Sequence, residues 1–322
     1  MALTILKPGI LDTVQDLGRT GFRQFGVNPG GAADASAVRV LNTLLGNDEG
    51  DAVVEMHFPS AEIVFGEETT FAVGGADAEI SLDGESFPLW ASVRARSGAV
   101  LKIGKRLAGS RIYLAVKGGI DVDEWLGSRS TNTFARAGGF EGRALKTGDR
   151  LAIGKSDLNN RSPLGAKAGP GLIAGCSPRG TIRITIGPEY HQLTARAVRD
   201  LSKGTFAATM DSNRMGLRLE GPRLTRLTET ELVSSAVSPG TIQLLPDGSP
   251  VILLADCQTT GGYPRIAQVA SRDLSAVAQT SPGEKLRFRI IDLQEALDLH
   301  RRFEKDLSFL RMGIRFRALF GS

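Results

Sequence analysis

The chain has 322 residues, 41% hydrophobic and 23% charged, with 39 Gly but only 2 Cys and 3 His. That length exceeds the usual single-core size, so two domains of roughly 150 residues each are expected, and no apolar stretch approaches the ~18 residues that a membrane helix needs. The net charge of +4 with 6% aromatics lacks the dense basic and aromatic patch of a nucleic-acid surface, and suits individual arginines aimed at a small carboxylate or phosphate.

The first residues, MALTILKPG, have no basic segment followed by an apolar signal core and alternate like a strand, which points to a cytoplasmic protein. In VQDLGRTG, Asp16 and Arg19 lie close together and are expected to pair across a loop. Asp34 is placed to cap a helix in which Val38, Leu41 and Leu45 recur at helical spacing, with Gly46-Asn47 ending it. Short β-rich runs follow, AEIVF (61–65), FAVGG (71–75) and AEISLDGE (78–85), and Asp83-Gly84 suits a two-residue hairpin turn. KGGI (117–120) reads as a sharp strand exit. In LGSRST (126–131), Arg129 sits among hydroxyls that suit an anion or a plain surface turn equally. The first β-rich block closes with KTGDRLAI (146–153).

Periodicity disappears in the Asn-, Ser-, Gly- and Pro-rich stretch 159–178, which marks a linker. The expected organisation is a first β-barrel subdomain over 1–158, a linker at 159–178, a second β-barrel subdomain over 179–293 and a helical tail over 294–322. RITI (183–186) opens the second block and SPGEKLRFRII (281–291) closes it. Each block thus ends with Gly, acid, base and Leu before its last strand, a hint of duplication. In NRMGLRL, Arg214 and Arg218 are four residues apart, which in a strand puts both guanidinium groups on one face, either toward an anion or toward solvent.

The densest chemistry follows the apolar run Val251 to Ala255, which reads as a buried strand. Asp256, Gln258, Thr259, Thr260 and Tyr263 bring a carboxylate, an amide, two hydroxyls and a phenol, and Gly261 and Gly262 permit close backbone approach to a ligand; a tight polar turn is the plainer reading. Cys257 has no nearby His to activate it and reads as a packed residue. Cys176 and Cys257 are too few and too distant for a disulfide framework, and His57, His191 and His300 lack metal-ligand spacing, so no metal is expected. The tail repeats Leu293, Leu297, Phe303, Leu307, Leu310 and Ile314 at helical intervals with basic residues between, an amphipathic helix.

Taken in order, TVQDLGRTGFRQFGV, YLAVKGGIDV, LGSRST, GRALKTGD, NRMGLRLEGP, SPGTIQLLPDG and QTTGGYP resemble the carboxyltransferase-type family. That family includes allophanate hydrolase subunit 2-like proteins, the C subunit of ATP-dependent 5-oxoprolinase and half of the carboxyltransferase domain of urea carboxylase. The chain departs from the family at Ala33, Asp123 and Asn213, where Met, Pro and Asp are usual; an amide at 213 cannot accept a proton as a carboxylate does. The resemblance implies a mainly β fold of two cyclophilin-like β-barrel subdomains with few helices and a C-terminal amphipathic helix. It also implies work with a smaller B-type subunit of related fold and a hydantoinase-like A-type subunit. Together these would use ATP to activate the lactam of 5-oxoproline for hydrolysis to glutamate, with no nucleic acid or membrane partner.

Under that reading Asp256, Gln258, Thr259, Thr260 and Tyr263 are catalytic, and Arg214, Arg218, Arg129, Gly261 and Gly262 bind the substrate or its anion. Two other readings stand beside it: the carboxyltransferase half of a biotin-dependent urea or amide carboxylase, and a regulatory subunit antagonising a kinase inhibitor. The chain has no biotin-carrier Met-Lys-Met, no ATP-grasp-sized region and no Gly-Lys-Ser/Thr phosphate loop, so partners are expected in every enzymatic case.

Overall fold

A computed structural model describes residues 2–58, 61–155, 164–175, 180–228 and 231–320. Cys176 and part of the expected linker lie outside the described residues. The fold is mainly β, with two barrel-like sheets and few helices. The residues group into two compact units: Met1–Arg19, Gly30–Ser177 and Phe303–Ser322 form one, Thr20–Pro29 and Pro178–Arg302 the other.

The first unit is built on a 10-stranded sheet whose long members are Thr69–Leu82 and Val100–Val116, paired antiparallel over most of their lengths. The runs FAVGG and AEISL are therefore one strand, bent where the register shifts between Gly75 and Ile80. Gly75 at φ +104° is needed there, because a Cβ would lie 2.5 Å from the Arg111 carbonyl oxygen. Phe65, Phe71, Leu101, Leu114 and Leu151 fill the core, with the Phe65 and Phe71 rings 4.9 Å apart.

The helix Ala35–Leu45 begins as its sequence predicts: Asp34 Oδ1 accepts from Ala37 N–H at 3.0 Å, and Gly46 ends it in the left-handed conformation. Lys117 Nζ then donates to the Leu45 and Gly46 carbonyls, cations being favoured at a helix C-terminus. The helix Leu293–Phe320 matches the expected tail, and its Phe303, Leu307 and Ile314 are buried in one cluster with Leu41, Trp90 and Tyr113. Burial of each such side chain contributes roughly 1.5–3 kcal/mol. Among the described residues no helix is long and apolar enough to cross a membrane.

The second unit is a closed seven-stranded barrel running Thr181–Ile186, Arg265–Val269, Thr241–Leu244, Pro250–Leu253, Gly216–Glu220, Phe206–Ala208 and Lys285–Ile290, the last returning parallel to the first. Closure pairs every one of these strands on both sides. Ile182, Phe206, Ile242, Ile252 and Phe288 make its core.

The two closing turns are the same structure. In Lys146–Asp149 the acid's N–H donates to the Lys146 carbonyl and its carboxylate accepts from Lys146 N–H; Ser281–Glu284 repeats both bonds. The Gly before each acid, Gly148 and Gly283, has φ of +90° and +84° and donates to a neighbouring strand, at Ile5 and Ala208 respectively. Those two residues donate back to the acid's carbonyl.

Candidate functional site

The apolar run becomes the strand Pro250–Leu253, buried throughout and paired on both sides, with Ile252 opposite Ile242 and Leu217. The chain leaves the barrel at Leu254, whose N–H donates to the Met215 carbonyl, and Asp256 N–H follows onto the Arg214 carbonyl. Asp256 then meets Arg214 side chain to side chain: Nε donates to Oδ2 at 2.8 Å and Nη2 to Oδ1 at 3.1 Å. Asn28, from the Thr20–Pro29 segment of the same unit, donates to the Asp256 carbonyl at 2.9 Å.

Beyond Cys257 the polar run wraps around a side chain that sequence reasoning missed. Gln243, 1% exposed, accepts from Gln258 Nε2 at 3.4 Å and donates to the Tyr263 carbonyl at 3.5 Å. A Cβ on Gly261 would lie 2.5 Å from Gln243 Nε2, so a side chain there would have to push the Gln243 amide aside. The one signal in the sequence was an amide set between Ile242 and Leu244 in the strand Thr241–Leu244. Thr260-Gly261 pairs antiparallel with Ser235-Ala236, and Val237 N–H donates to the Thr259 carbonyl. Arg265, directly after the run, is gripped by Glu189 at 2.8 and 2.9 Å, which holds that carboxyl below the usual range.

Thr260, Gly261, Gly262 and Tyr263 line an open cleft of about 960 Å3, with Arg223 and Arg226 on its wall. Thr260 and Tyr263 are exposed, so a hydroxyl and a phenol face the space. Asp256, Gln258 and Thr259 are not among the residues lining it.

Several expectations are corrected. Arg214 and Arg218 do not share a strand face: Arg214 precedes the strand Gly216–Glu220 and is buried against Asp256, whereas Arg218 is exposed. The hydroxyls of LGSRST are not offered to an anion. Ser128 and Ser130 donate to Asp16 Oδ1 and Thr131 to the Val14 carbonyl, while Arg129 reaches Glu124 at 2.8 Å. Asp16 thus organises this loop through hydroxyls and the backbone N–H groups of Gly18 and Arg129, and Arg19 donates to the Ser130 carbonyl under Trp125. Cys257, by contrast, is the packed residue its sequence setting predicts, fully buried beside Val237 and Leu253, and burial pushes its thiol up to about 11.

The family model described as carboxyltransferase domain, subdomain A and B, matches residues 25–290. The chain belongs to this carboxyltransferase family. Within the family it is 40% identical over 309 residues to the C subunit of 5-oxoprolinase from Escherichia coli (strain K12), covering 94% of this chain and 97% of that one. It is 33% identical over 302 residues to the urea amidolyase of Saccharomyces cerevisiae, covering 89% of this chain but 16% of that protein. Among solved structures, the Kluyveromyces lactis urea carboxylase superposes with a TM-score of 0.88 at 29% identity, over 96% of this chain and 29% of that one. Carboxyltransferase-family architecture accordingly spans both units of the chain.

Proposed function

We propose that this chain is the C subunit of an ATP-dependent 5-oxoprolinase complex that opens the lactam of 5-oxoproline to glutamate. The observation that carries this reading is the end-to-end likeness to a subunit of nearly equal length bearing that name. The urea amidolyase likeness, by contrast, covers a small part of a much longer chain.

A lactam resists attack because its nitrogen donates into the carbonyl, so charge must be drawn onto the oxygen before the ring opens. ATP, when bound, supplies the phosphoryl group that does this. The cleft is larger than a lone lactam needs and falls in the usual range for ligand sites, so it has room for phosphates as well. Thr260 and Tyr263 are the ligand-facing donors in this reading. Gly261 and Gly262 let the substrate approach the backbone. Gln258 and Asp256, with Thr259 beside them, hold the corner in one geometry through Gln243 and Arg214, and such positioning is where catalytic rate is gained or lost. The partners in this reading are a smaller B-type subunit and a hydantoinase-like A-type subunit, the latter performing the hydrolysis, in the cytoplasm.

A second reading is favoured by the structural likeness to urea carboxylase: a carboxyltransferase half-site that takes carboxyl from biotin. Co-purification with the products of neighbouring reading frames separates the two. Glutamate formed from 5-oxoproline and ATP supports the first; bicarbonate-dependent carboxylation through a biotinylated partner would replace it with the second.

A further inference from the structure

Two of the segments that line the cleft of the second unit are held by hydrogen bonds. One is the Thr260–Pro264 corner around Gln243. The other is the irregular segment 223–227, fixed on two sides: Leu224 N–H donates to the Gly248 carbonyl at 2.9 Å, Thr194 N–H to the Thr225 carbonyl at 3.0 Å, and Leu227 N–H to the Gln192 carbonyl at 2.7 Å. Arg223 and Arg226 therefore project from a backbone that does not have to be ordered when a ligand arrives, which removes part of the usual cost of binding. Arg223 is anchored further, Nη1 donating to the Asp247 carbonyl at 2.6 Å, which engages one of its five N–H donors.

Among the described residues, the other charged side chains lining the cleft are carboxylates. Asp247 is committed to the Ser249 N–H and hydroxyl, at 2.9 and 2.6 Å, and those bonds hold its carboxyl below the usual range. Glu231 remains as an acceptor on the wall. Arg214 and Arg218, the arginines that sequence spacing singled out, are not among the residues lining this space.

We propose that this cleft is an anion-binding subsite in which Arg223 and Arg226 receive the charged group of a small ligand, a carboxylate or a phosphate. Both groups match the planar fork of guanidinium. For the ligand's identity this rests on the 5-oxoprolinase reading, since 5-oxoproline carries a carboxylate and ATP phosphates; the presence of an anion site does not depend on that reading.

The test is calorimetric binding to the full chain, with 5-oxoproline and inorganic pyrophosphate as separate probes and the neutral carboxamide of 5-oxoproline as control. Wild type is expected to bind at least one anionic probe. The double substitution Arg223→Gln and Arg226→Gln is expected to weaken that binding at least about tenfold with the melting temperature unchanged, and to leave the carboxamide unaffected. If the double variant fails to fold, Arg226→Lys, which keeps the charge but loses the fork, is expected to weaken binding about threefold or more. Loss confined to 5-oxoproline identifies the carboxylate, and loss confined to pyrophosphate the phosphate. Failure of wild type to bind either anion, or equal affinity in the folded variants, overturns the proposal. If binding behaves as expected while the reconstituted complex shows no ATP-dependent turnover, the anion site stands and the 5-oxoprolinase reading falls.

Discussion

Arg214 holds Asp256 by two parallel N–H···O bonds, 2.8 and 3.1 Å long, at the point where the chain leaves the barrel for the Gln258–Tyr263 corner. The Arg214 side chain is 6% exposed and that of Asp256 18%, so the pair is substantially shielded from solvent. Arg214→Lys keeps the charge but cannot supply both donors in one plane. It is expected to lower stability by about 1–3 kcal/mol, and Asp256→Asn by a similar amount, with melting by circular dichroism as the measurement. Wild-type melting in both would mean that the pair adds nothing to the fold.

Tyr263→Phe removes one hydroxyl from the cleft at nearly constant volume, and Gln258→Ala removes the amide that meets Gln243. Each is expected to slow ATP-dependent 5-oxoproline hydrolysis at least about tenfold while the partner subunits still elute together: Tyr263→Phe because a lost transition-state hydrogen bond costs about 2.7–4 kcal/mol, Gln258→Ala because the corner that positions the ligand-facing groups loosens. Wild-type rates in both, in an intact complex, would reduce this run to a turn.

Cys257 is a test of the opposite kind. With its thiol pushed up to about 11 by burial, almost none is thiolate at pH 8. Its tryptic peptide is expected to stay unalkylated by iodoacetamide in the folded chain and to react once denaturant is added, and Cys257→Ala is expected to keep near-normal turnover. Rapid alkylation of the native chain would restore a nucleophile reading.

Asp12 gives the first unit a pH signature. Burial raises its carboxyl to about 6 from 3.8, against the backbone N–H groups of Gly9 and His57 that favour its charged form, and Glu55 adds repulsion. The folded state thus holds this proton more tightly than the unfolded chain. The stability it contributes is full below pH 3.8 and lost as pH rises through about 6, a change on the order of 2–3 kcal/mol. Relative to Asp12→Asn, wild type is expected to lose stability between about pH 4 and pH 7 in urea titrations; parallel pH curves would contradict the assignment.

Local chemistry was legible wherever one residue type decides the backbone. Asp34 caps its helix, Asp83-Gly84 adopts positive φ at both turn positions, and the repeated Gly-acid turns proved to share one hydrogen-bond pattern. The strand before Asp256 was legible because burial on both faces demands an unbroken apolar run. The partners of the site residues were not. Gln243 lies fifteen residues before Gln258 and meets it only because its strand pairs with the one that leads into the polar run, and Arg223 and Arg226 reach the cleft from an aperiodic segment. Even spacing of Arg214 and Arg218 implied a shared face only if both were in the strand; the strand starts at Gly216.

The central claim is tested most directly by reconstituting the chain with the B-type and A-type subunits proposed as its partners and measuring glutamate released from 5-oxoproline with and without ATP. The account predicts ATP-dependent release that disappears when this chain is omitted and returns when it is added back. Release that proceeds equally without the chain, or no release from a complex that assembles and contains all three subunits, would contradict it.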